Sequence, residues 1–130
     1  MKKDYIDIDG YWAFLLCYNI SWWDLDDVAS VLEAFGYSER GIKKVCRVLM
    51  EGNTGFTLSL PSERMSVMFI GNASTPSQWL DTINHEIDHL QDSILRYYDI
   101  PHGTEDAAYL QGEITRLVSE KLGCRIVCSR

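Results

Sequence analysis

The stretch from Thr75 to Tyr98 constrains the fold more than any other part of the sequence. Thr75 can cap a helix, Pro76 suits its first position, and Gln78 fits the third place of a capping box. Leu80, Ile83, Ile87, Leu90, Ile94 and Tyr98 then recur at helical spacing, so a helix over roughly 76–98 is predicted. A helix of that length with one apolar stripe must bury the stripe against another layer.

The other elements follow from similar signals. Val28, Val31, Leu32 and Phe35 predict a helix that enters at Ser21–Asp27, with acidic residues near its N-terminus, and stops at Gly36. Ile42, Val45, Val48 and Leu49 predict a second helix over 38–51, ended by Gly52-Asn53. From Thr54 to Ile70 the period changes to two, with a turn at Pro61–Arg64, which predicts a β-hairpin. After the break at Pro101–Thr104, Leu110, Ile114, Leu117 and Val118 predict a last helix over about 105–122. Residues 5–20 are read as one strand or an irregular segment. The expected order is helix, helix, hairpin, long helix, turn, helix. This is an α+β domain spanning 1–130, a size that can bury a core without disulfides.

Charge narrows the function. With 19 acidic and 12 basic side chains, the net charge of −7 disfavours a nucleic-acid partner. Arg40, Lys43, Lys44 and Arg47 form the one basic cluster and are read as a solvated helix face. The apolar run Tyr11–Tyr18 is too short to span a membrane, and no secretory signal is seen. A cytoplasmic protein with no membrane partner is expected. The cysteines (17, 46, 124 and 128) are read as free thiols, and half of a second metal site at Cys124/Cys128 is the lesser alternative. Trp12, Trp22, Trp23 and Trp79 are read as core.

The chemistry lies in His85-Glu86-Ile87-Asp88-His89, an HExxH motif in the middle of the long helix. Residues i and i+4 share a helical face about 6 Å apart, so two imidazoles can reach one tetrahedral zinc ion. Glu86 projects to the side of that metal, where it can act on a water as general base. A third His at the spacing HExxHxxGxxH is absent, since position 95 is leucine and position 92 aspartate. The next helix offers Glu105 and Glu113 as a carboxylate ligand, with Asp106 and Asp92 as lesser candidates. Glu105 is preferred: it follows a turn able to reverse the chain, and Ala108 and Gly112 on its face would allow close helix approach.

His85-Glu86-x-x-His89 followed by Glu105-x-x-Ala108-Tyr109 resembles the glutamate-zincin pattern. It is similar in particular to small bacterial metallopeptidase-like proteins associated with phages and mobile elements. The resemblance covers about residues 54–122. It implies a minimal zincin-like fold, a small sheet against an active-site helix with a second helix supplying the glutamate. By that analogy Zn²⁺ would be held by His85, His89 and Glu105, with Glu86 as general base.

Tyr109 and His102 are the candidates for stabilising an oxyanion. Asp81, Asn84 or Asp88 could orient a ligand histidine through its second ring nitrogen. The strand Met65–Ile70 could present an edge to an extended peptide. The expected activity is zinc-dependent hydrolysis of a peptide or protein. The alternatives are a non-catalytic metal-binding domain that contacts another protein, and a helical interaction module whose HExxH is accidental.

Overall fold

Residues 2–18 fold as a β-hairpin, where the sequence suggested one strand or an irregular segment. In the computed structural model, which describes residues 1–123, β1 (Lys2–Ile8) pairs antiparallel with β2 (Trp12–Tyr18). Asp9 and Gly10 both have positive φ, at 47° and 79°, and the Tyr11 N–H closes the turn on the Ile8 carbonyl at 3.1 Å. Asp-Gly is the dipeptide such a turn favours.

The second hairpin lies where the alternation placed it, as β3 (Gly55–Leu60) and β4 (Met65–Ile70) joined by a 3₁₀ turn over Pro61–Glu63. The two hairpins meet through β2 and β4, which run parallel from Ala13↔Met65 to Cys17↔Phe69. The sheet order is therefore β1-β2-β4-β3. One expectation is overturned here: Met65–Ile70 is an inner strand, and the free edge on this side belongs to β3.

The helices cover both faces. α1 (Leu25–Ala34) and α2 (Glu39–Glu51) pack Val28, Leu32, Val45 and Leu49 against Cys17, Val67 and Phe69. α3 (Pro76–Tyr97) and α4 (Glu105–Leu122) lie on the opposite face, over Trp12, Phe14, Leu16, Met68 and Ile70. Alternate residues of β2 and β4 thus enter different cores. Thr75 caps α3 as the sequence offers, and Ser38 and Thr104 cap α2 and α4 in the same way. The hydroxyls of Ser38, Thr75 and Thr104 accept from the backbone N–H of Gly41, Gln78 and Ala107 respectively.

Two of the four tryptophans depart from expectation. Trp12 and Trp79 are buried, but Trp22 and Trp23 are 72% and 68% exposed and stack edge to face at 5.8 Å. They occupy a short 3₁₀ turn ahead of α1, outside its apolar stripe. Cys17 and Cys46 are free thiols, and burial pushes Cys17 up to about 12. Cys124 and Cys128 lie outside the described residues. Among the described residues, no helix is long and apolar enough to cross a membrane.

Candidate metal centre

His85 and His89 sit one helical turn apart on the solvent-facing side of α3, and their rings converge. Their Nε2 atoms are 3.1 Å apart, with ring centroids at 4.6 Å and planes at 89°. Two Zn–N bonds of 2.0–2.1 Å at a tetrahedral angle place their nitrogens about 3.3 Å apart. The donor pair therefore fits a shared metal ion in both chemistry and spacing.

Glu86 lies about 100° further round the helix and turns toward β3. It is only 2% exposed, and Thr57 of β3 donates its hydroxyl to Oε1 at 2.8 Å. Burial raises the proton affinity of this carboxyl. The Thr57 hydrogen bond and the nearby His89 and His85 pull it the other way. A raised proton affinity is the direction a general base requires.

The sequence of β3 makes room for it. Phe56 and Leu58 pack with the α1/α2 core, which leaves Gly55, Thr57 and Ser59 on the face toward α3. A Cβ at Gly55 would lie 2.6 Å from the Phe69 carbonyl oxygen and 2.8 Å from Glu86 Cγ. Gly55→Ala is accordingly expected to cost about 1–3 kcal/mol and to displace Glu86. Urea unfolding checks the first effect, and a changed chemical shift of the Glu86 carboxyl checks the second.

α4 packs antiparallel on α3. Gln91 donates to the Ala107 carbonyl at 2.8 Å, and Gln111 donates to Asp88 at 3.3 Å. The residue in close approach is Ala107, 3% exposed, rather than the expected Ala108 and Gly112, and a Cβ at Gly112 would meet nothing within 4 Å. Glu105 is exposed and lies about 180° round α4 from the buried Ile114. In that position it does not join the histidines.

Two of the other candidate carboxylates are committed elsewhere. Glu113 pairs with Arg116 at 3.0 Å, and Asp92 pairs with Arg96 at 2.9 Å and with His102 at 3.0 Å. Asp88 holds Gln111 instead of a histidine ring. Among the described residues, no third His, Cys, Asp or Glu completes a three-donor set. Tyr109 is 73% exposed and faces a cavity shared with Ile94 of α3 and its C-cap Tyr98, roughly half a turn away from the histidines.

The sequence reading missed Thr57. Its signal was a polar residue at an inward position of an alternating strand, which becomes informative only once the strand is known to face the HExxH helix. Compared with protein-family models, curated proteins and solved structures, the chain matches none of them.

Proposed function

We propose that this chain is a zinc-dependent hydrolase of peptide bonds, with the metal on His85 and His89. The observation that carries the reading is the convergence of the two Nε2 atoms to 3.1 Å on the exposed face of α3. Glu105 is the third donor proposed from the ExxA pattern, and it can join the histidines only if the first turn of α4 rotates from the outward position described above. It has no ion pair or hydrogen bond among the described residues, unlike Glu113 and Asp92, and it begins the ExxA pattern. When bound, zinc supplies Lewis-acid polarisation of a carbonyl and acidifies a water.

The chain's own residues do the rest. Glu86 takes the proton from the attacking water and passes it to the leaving amine. Thr57 fixes the Glu86 carboxylate through its hydroxyl. The free edge of β3, which carries Thr57, offers unpaired main-chain groups to an extended substrate. This supports a peptide or protein as the substrate. Free Cys17 and Cys46 support a reducing compartment such as a cytoplasm.

A second reading, a metal-binding domain without catalysis, is favoured by the near-complete burial of Glu86. Elemental analysis of the purified protein tests both. About one zinc per chain is expected in the wild type. Zinc should be lost in His85→Ala and His89→Ala, lost with Glu105→Ala, and kept with Glu113→Ala. A wild type that stays metal-free after reconstitution would end both readings and leave an interaction module. Zinc retained by Glu105→Ala would remove that residue from the set.

A further inference from the structure

A concavity outside the HExxH face lies where the β1–β2 turn meets the C-terminal half of α3 and the start of α4. It has a volume of about 560 Å³ and is lined by Asp9, Tyr11, Ile94, Tyr98, Ile100, Asp106, Tyr109, Leu110 and Glu113. Two features set its chemistry. Three tyrosines come from three separate elements, with Tyr11 and Tyr98 edge to face at 5.9 Å and the Tyr98 hydroxyl anchored on the Tyr11 carbonyl at 2.7 Å. The floor is aliphatic, from Ile94, Ile100 and Leu110.

All the charge lining it has one sign. Asp9, Asp106 and Glu113 line the cavity, and no lysine or arginine does. Glu113 shares its charge with Arg116 outside, whereas Asp9 and Asp106 form no ion pair among the described residues. Burial and the negative charge of Asp9 and Glu113 hold the Tyr11 phenol above its ordinary value, so the field reaches the wall. Tyrosine faces attract an organic cation, an aliphatic floor takes its methylenes, and a carboxylate at the rim neutralises its charge.

We propose that this cavity binds an alkylammonium group, with Tyr11, Tyr98 and Tyr109 as its aromatic walls and Asp106 and Asp9 as its counter-charges. The site is independent of the zinc reading, since it opens on the other side of α3. An alkylammonium group can arrive as a free amine or as the lysine side chain of a peptide.

Calorimetric titration of the full chain distinguishes these cases. The probes are n-butylammonium, neutral n-butanol, and the blocked peptide Gly-Gly-Lys-Gly-Gly with its norleucine counterpart. Saturable binding of n-butylammonium at millimolar concentration or below is expected, with n-butanol silent. Asp106→Asn and Tyr109→Leu, both at exposed positions, are each expected to weaken binding about tenfold. Tighter binding of the lysine peptide than of n-butylammonium makes a peptide the natural source, and equal or weaker binding makes it a free amine. Absence of saturable heat with both cations overturns the proposal. So does equal binding of n-butanol, or affinity unchanged in both variants.

Discussion

On the proposed zinc-hydrolase reading, Glu86→Gln is expected to lower peptide hydrolysis by about 10²–10⁴-fold without loss of bound zinc. Glutamine has the shape of glutamate, and its carbonyl oxygen can still accept the Thr57 hydroxyl that now reaches Oε1 at 2.8 Å. What disappears is the ability to take up a proton. Because the side chain is 2% exposed, the substitution also removes the cost of burying a charge, so the variant should be at least as stable as wild type. Turnover and metal content measured on one preparation separate the causes. Unchanged turnover with zinc retained would make Glu86 a packing residue and remove the hydrolytic reading. Loss of zinc together with turnover would instead tie Glu86 to metal affinity.

The largest effect on stability is expected at Trp12. Its indole is 2% exposed beneath α3, packs edge to face on Tyr97 at 5.6 Å, and donates Nε1–H to Ser66 Oγ at 3.0 Å. Ser66 in turn lies 2.6 Å from Ser59 Oγ, so the indole closes a polar chain that crosses the two inner strands to the β3 edge. Trp12→Ala should cost about 3–5 kcal/mol, from lost transfer energy plus the cavity left behind. Trp12→Phe keeps most of the packing and should lose about 1 kcal/mol, the net value of the hydrogen bond. Urea midpoints of the two variants provide the comparison. A Trp12→Ala protein within 1 kcal/mol of wild type would mean that α3 collapses onto the gap and that this core is not close-packed.

What could be read in advance depended on how many faces of an element are buried. α3 and α4 each have one wet side, so their stripes stand out in the sequence, as does the Thr75 cap of α3. β3 alternates Phe56 and Leu58 with Thr57 and Ser59 because its two faces meet different partners, the α1/α2 core on one side and Glu86 and Ser66 on the other. β2 is covered by helices on both faces, so WAFLLCY shows no period, and its pairing with Lys2–Ile8 had to be sought in the Asp9-Gly10 turn. At the candidate site, i,i+4 spacing was enough to bring His85 and His89 together. Glu86's burial, Thr57's hydrogen bond and the outward face of Glu105 were not legible, because each depends on how α3 is rotated against β3 and α4. Tyr109 illustrates the limit. Its position in the chain suggested the metal, yet helix rotation sends it to the tyrosine-lined cavity.

The parallel pairing of β2 with β4 also has a kinetic consequence. Each hairpin closes over a short turn, which takes microseconds, but Ala13 and Met65 meet only after the intervening chain has been looped back. Docking of the two preformed hairpins is therefore the step expected to set the folding rate. Truncating Phe14 or Val67 at that seam should slow folding, while truncating Leu58 on the outer strand should mainly speed unfolding.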